Sequence, residues 1–233
     1  MAKSSPPPVK RGFTLIELLV VIAGIAILLG LAVPAMNSAF ERVKGTKDMS
    51  NLRQIGTATQ MYMNDNNGVF PGSATLRWMS QLELNQKYLS TWRILESPFD
   101  ARSTSETGDV TTAVSYGINS NVYSGGVAIS ADKITKPTAF ILFSPAQANG
   151  VTVNFAGRGD SLVPGVTVLG TGSNSATSSP GGSATGGTQN SRAKINALFA
   201  DLHAETMLWA TFTNNAATGN DPDGAYRWSA QGP

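Results

Sequence analysis

The chain has 233 residues, 14% charged and 41% hydrophobic, with 17 Lys+Arg, 15 Asp+Glu, one His and no Cys. That apolar share excludes a charge-rich disordered chain. The missing Cys excludes a disulfide framework, an iron–sulfur cluster, a thiolate zinc site and a Cys nucleophile, and the lone His excludes a multi-His metal centre. The net charge of +2 sits at the start. Without residues 1–12, which hold Lys3, Lys10 and Arg11, 14 basic side chains face 15 acidic ones and the balance becomes −1. Composition therefore gives no support to a nucleic-acid partner, whose recognition needs a basic surplus on the folded part.

The first element in the chain is its most apolar stretch. Residues 13–34 read FTLIELLVVIAGIAILLGLAVP, and no charged side chain occurs from Leu18 to Val33. A helix over residues 13–33 is ~31 Å long at ~1.5 Å per residue, which matches a hydrocarbon layer of ~30 Å. The basic residues before it favour a cytoplasmic N-terminus, with the remaining chain across the membrane. A secretory signal peptide competes with this reading. Its basic region would be Lys10 and Arg11, its apolar core residues 18–31, and its cleavage site the small residues Val33 and Ala35. The chain would then be a secreted or membrane-anchored binding domain or hydrolase.

Glu17 separates the two. A carboxylate in a membrane-spanning helix costs ~2.5–3.5 kcal/mol at the centre and less near an end. A discarded signal has no physical use for it, whereas a retained helix does if the charge finds a partner. A cut between Gly12 and Phe13 creates a free amine four residues from Glu17. Between helices packed side by side, the Glu17 carboxylate of one meets the Phe13 amine of the next. A buried pair of that kind is costly to break from one side, and it sets the register of assembly.

The run Lys10-Arg11-Gly12-Phe13-Thr14-Leu15-Ile16-Glu17-Leu18-Leu19-Val20-Val21-Ile22 closely resembles the start of type IV prepilins and secretion pseudopilins. Pro34 falls where that family has a helix-bending proline. The resemblance implies a leader, residues 1–12, removed after Gly12 by a membrane prepilin peptidase that also N-methylates Phe13. It implies a single-pass protein waiting in the bacterial inner membrane, and an assembly platform that packs it with copies of itself and other pilins into a helical filament. It implies no cofactor and no catalysis. In filaments of this family the segment between a glycine such as Gly24 and this proline is often partly unwound.

Beyond the membrane the helical pattern continues over residues 35–66. Met36, Phe40 and Val43 form a lower stripe, and Leu52, Ile55, Thr59 and Tyr62 an upper one on a different face. The lower stripe suits neighbouring helices and the upper one the chain's own head. Asn64-Asp65-Asn66-Asn67-Gly68 is a dense stop signal. With Val69-Phe70-Pro71 it resembles the turn that follows the long helix in secretion pseudopilins. A short helix is expected over 78–89. Strands are expected at 110–116, 127–130, 139–143, 151–155, 163–169, 195–200 and 205–209, each bounded by turn residues. The fold class is thus α+β: a long N-terminal helix, 13–66, spanning the membrane over 13–34 and packed on an antiparallel sheet in a head, 67–233. Residues 170–191, dominated by Gly, Ser, Thr, Ala and Asn, read as a surface loop.

The head carries four further stretches: Ser97-Pro98-Phe99-Asp100, Ser115-Tyr116-Gly117-Ile118-Asn119, Lys136-Pro137-Thr138, and Asn196-Ala197-Leu198-Phe199-Ala200-Asp201-Leu202-His203. They resemble a prepilin-like group abundant in planctomycete and verrucomicrobial bacteria. That group has Cys where Ser97 stands and Gly where Leu202 stands. His203 with Asp201 two residues away reads as a structural tether, since no triad signature surrounds it. Asp221 and Asp223 in Asn220-Asp221-Pro222-Asp223-Gly224 are a weak calcium candidate that lacks a closing bidentate Glu.

Overall fold

The computed structural model describes residues 13–72, 77–83, 87–103, 105–124, 126–159, 168–169 and 184–232. The chain divides into two compact units, one ending at Arg42 and one covering Val43–Pro233. The expected leader, residues 1–12, lies outside the described residues, as do residues 170–183 of the expected loop and 163–167 of an expected strand.

Helix α1, Leu15–Asp65, runs unbroken for 51 residues and is shared by both units. In the first unit its side chains at 15–33 and 36–40 and at Arg42 are exposed, and Glu41 is half-buried. Backbone helix continues through position 34, and residues 24–34 are helical throughout in the single chain. In the second unit one face is buried. Leu52, Ile55 and Thr59 of the expected upper stripe are fully buried, and Tyr62 is half-buried. The same face extends down through Asn51, Asp48 and Gly45, which the apolar pattern does not show.

The helix stops at the expected place. Asn67 (φ 55°) and Gly68 (φ 76°) turn left-handed, and the Gly68 N–H returns to the Met63 carbonyl at 2.8 Å. Such a reversal satisfies carbonyls that the last helical turn leaves open.

The head then adds α2 (Trp78–Glu83), β1 (Tyr116–Asn119), β2 (Tyr123–Ser124), β3 (Val127–Ala128), β4 (Ile141–Pro145), β5 (Val168–Leu169), β6 (Lys194–Phe199), β7 (Ala204–Leu208), α3 (Trp209–Thr213) and α4 (Gly224–Arg227). Five strands form one sheet in the order β5-β1-β4-β6-β7, and β2 pairs with β3 as a separate ribbon. The large sheet is antiparallel at β1/β4, β4/β6 and β6/β7, and parallel at β1/β5.

Side chains alternate across this sheet, as the two-residue period of a strand requires. Leu198 of β6 joins Leu52, Ile55, Trp78, Tyr116, Ile118 and Phe143 in a core against α1. Its neighbours Ile195, Ala197 and Phe199 join Ile141, Met207, Phe212 and Trp228 in a second core beneath α3 and α4. A Cβ on Gly56 would lie 3.1 Å from Leu198 Cδ1, so the missing side chain lets α1 approach β6 closely.

Three expectations are corrected. The strand expected at 110–116 begins only at Tyr116, because Asp109 and Thr111 form a side-chain turn: the Thr111 N–H and hydroxyl both donate to Asp109 Oδ1, at 2.8 and 2.7 Å. Residues 151–155 contain no strand, and only Phe155 is buried there. Residues 184–191 are not surface loop. Ala184 bridges Gly150, Gln189 bridges Lys194, and Gly186, Gly187 and Thr188 are buried. A Cβ on Gly187 would meet the Lys194 carbonyl oxygen at 2.0 Å, so glycine here permits packing rather than looseness.

Candidate processing and assembly site

The site begins where α1 begins. Thr14 caps the helix and Glu17 answers it. The Thr14 N–H and hydroxyl donate to Glu17 Oε2 at 2.9 and 2.7 Å, and the Glu17 N–H donates back to Thr14 Oγ1 at 3.3 Å. This reciprocal pairing is a capping box, readable from the spacing Thr14-x-x-Glu17 and passed over by the sequence reading. It gives the acid a partner inside its own chain. Phe13 beside it is 76% exposed. Gly12 lies outside the described residues, and Pro34 is described in its backbone only.

From Phe13 to Val33 every large apolar side chain is exposed. The most apolar 18-residue window of α1 has a mean hydropathy of 2.8 with none of it buried, so the helix is long and apolar enough to cross a membrane. The lower stripe, Met36, Phe40 and Val43, is exposed as well. Such a surface is far larger than an ordinary soluble monomer leaves open.

The other singled-out residues serve the head. His203 Nδ1 pairs with Asp201 Oδ1, and its ring stacks on Phe199 with centroids 4.3 Å apart, which makes it a turn tether between β6 and β7. Leu202 in that turn adopts φ 69°, the left-handed region that glycine enters without strain. Asp221 is held bidentately by Arg227, with both contacts at 2.8 Å, and also accepts from Asn214 Nδ2 at 2.7 Å. Asp223 pairs with Lys136. The chain's own cations thus occupy both carboxylates of the calcium candidate. Among the described residues no group of three His, Asp or Glu is placed to hold a metal.

Sequence reasoning missed Asp48, which is completely buried. Its Oδ1 accepts from the Ser97 hydroxyl at 2.6 Å and the Tyr116 hydroxyl at 2.7 Å. Its Oδ2 accepts from Asn196 Nδ2 at 2.8 Å. Asn196 also donates to the Gly45 carbonyl at 3.0 Å and accepts from the Thr206 hydroxyl at 2.7 Å. Three of the head stretches quoted above therefore converge on one carboxyl group. Burial pushes that carboxyl above the ordinary aspartate range, against the lowering effect of its three hydrogen bonds. Burial and then the neighbouring Asp48 push the Tyr116 phenol well above its usual value.

An exposed apolar helix with one acid near its start is what the resemblance to a prepilin start implies. The prokaryotic N-terminal methylation motif matches residues 8–33. The chain is also 41% identical over 66 residues to the type IV wide pilus major component PilA4 of Thermus thermophilus. That match covers 28% of this chain and 50% of the relative, so the chain spans about half the length of the curated protein it matches. No solved structure matches it. Motif and relative together support the type IV prepilin and pseudopilin family for this chain.

Proposed function

We propose that the chain is a structural subunit of a type IV pilus-like or type II secretion pseudopilus filament. A prepilin peptidase cuts after Gly12 and N-methylates Phe13. The helix then stays in the inner membrane, with its N-terminus in the cytoplasm, until an assembly platform packs it with copies of itself and other pilins. On leaving lipid, Glu17 exchanges its bonds to Thr14 for the Phe13 amine of a neighbour. The head faces solvent and sets the filament's surface.

One observation carries this reading: within the stretch matched by the methylation motif, residues 15–33 form an exposed apolar helix, and Glu17 in its first turn is the only acid among them. The name of the Thermus thermophilus relative, a pilus component, favours a pilus over a secretion filament. Mass spectrometry of the mature N-terminus tests the processing, and imaging of sheared filaments tests the assembly. A methylated Phe13 in filament material supports the proposal. A mature start at Met36 refutes it in favour of a cleaved signal peptide.

A further inference from the structure

The buried cluster around Asp48 lies wholly in the head unit, and it joins four segments of the chain. Asp48 lies on α1, Ser97 on the segment before β1, Tyr116 on β1 and Asn196 on β6. Their hydrogen bonds bridge 49, 68 and 148 positions. All three donors are neutral. The titratable group facing Asp48 is the Tyr116 phenol. The charged side chains near the cluster in sequence include Lys44 and Lys47 on α1, Glu96, Asp100 and Arg102 around Ser97, and Lys194 on β6. Of these, the three lysines are exposed, Asp100 pairs with Arg102, and Glu96 is half-buried. None of them hydrogen-bonds to the carboxyl among the described residues.

Either protonation state finds partners here. An uncharged Asp48 donates its own proton to Ser97 Oγ, whose hydroxyl then turns away, while Tyr116 and Asn196 still donate. A charged Asp48 accepts from all three. The difference is that the charged form is buried without a cation, and neutral hydrogen bonds offset only part of that cost.

We propose that this cluster is a pH-responsive clamp: with Asp48 uncharged it holds the helix turn at residues 45–48 against β1 and β6, and ionisation of Asp48 loosens that grip. Asn196 is the arm of the clamp, since the same amide grasps the Gly45 carbonyl and the Asp48 carboxyl. The inference stands apart from the filament proposal, because every residue it uses belongs to the head unit.

The sign follows from the raised carboxyl. A group that ionises later when folded contributes stability that is full below its unfolded pKa of ~3.9 and is lost as pH rises through its folded value. This is the reverse of ordinary acid denaturation. The test uses the full chain in detergent micelles, with aspartate carboxyl carbons labelled for NMR and Asp48 assigned through its backbone. The Asp48 titration midpoint is expected above the ~3.9 of free aspartate. Amide exchange at residues 45–52 and 116–119, corrected for its intrinsic pH dependence, is expected to speed up across that midpoint. Tyr116→Phe removes one donor to the charged form, and it is expected to move the midpoint higher. A midpoint at or below that of free aspartate overturns the proposal. So does a midpoint unmoved by Tyr116→Phe, or exchange that does not change across it.

Discussion

Replacing Asn196 by leucine tests whether the helix is held on the sheet by hydrogen bonds as well as by apolar packing. The side chain is completely buried and leucine has nearly its shape, so the change in packing is small. The polar loss is specific. The Gly45 carbonyl and Asp48 Oδ2 each lose their Asn196 donor, while the Thr206 hydroxyl is left at an exposed position where water replaces its partner. The Gly45 carbonyl keeps its intrahelical bond, whereas Asp48 Oδ2 is left a buried acceptor without a donor at a cost of ~1–3 kcal/mol, so the substitution is expected to destabilise the head by about 2 kcal/mol. For a head of this size each kcal/mol moves the melting temperature by roughly 2–4 °C, giving a fall of about 4–8 °C. Near-ultraviolet circular dichroism of the full chain in micelles reports it through the buried Trp78 and Trp92. A loss below about 1 kcal/mol for Asn196→Leu would show that packing alone holds α1 and that the polar cluster is incidental.

Other substitutions probe the remaining features. Thr14→Ala removes the capping hydroxyl and its two bonds to Glu17, costing about 1 kcal/mol at the helix start; faster amide exchange over residues 14–18 is the readout. Glu17→Ala should insert into membrane as before yet give a much lower yield of sheared filaments, and an unchanged yield would refute the pairing role. Gly56→Val pushes a branched side chain into Leu198 and should cost about 1–3 kcal/mol of head stability in thermal melts. Arg227→Gln removes the cation that, with Asn214, holds the Asp221 carboxyl below the usual carboxylate range. In the unaltered chain that stability is present above the unfolded pKa and is lost as pH falls through the folded one. The variant should melt lower at neutral pH, with a flatter profile on the acid side.

Legibility in the sequence followed how many residues each constraint touches. A lipid layer demands an unbroken apolar run, so the first half of α1 was plain from Phe13 to Val33. The buried stripe Leu52, Ile55, Thr59 followed from helical spacing, and the helix stop from its run of Asn, Asp and Gly. The strands at β4, β6 and β7 appeared within a residue or two of their expected places. Asp48 was opaque because its partners are neutral and scattered, so no local pattern marks a lone acid as buried. The strand expected from Val110 failed because Asp109 and Thr111 bond each other and turn the chain first. Residues 184–191 have loop-like composition, and only the close approach of Gly187 to the Lys194 carbonyl shows that small residues there serve contact. Asp221 and Asp223 suggested a metal by spacing, whereas Arg227 and Lys136, one of them distant in sequence, hold them instead. The capping box was legible in Thr14 and Glu17, and went unread because the acid had been assigned to a neighbouring copy.

The boundary between Arg42 and Val43 falls inside a single helix, and the Asn196 bonds that fasten that helix to the sheet reach Gly45 and Asp48, just after it. Two selective demands therefore act on one continuous element without trading residues. Residues before the boundary answer to one of them, and residues after it to the other. A lineage can exchange one half for another variant and keep the other intact.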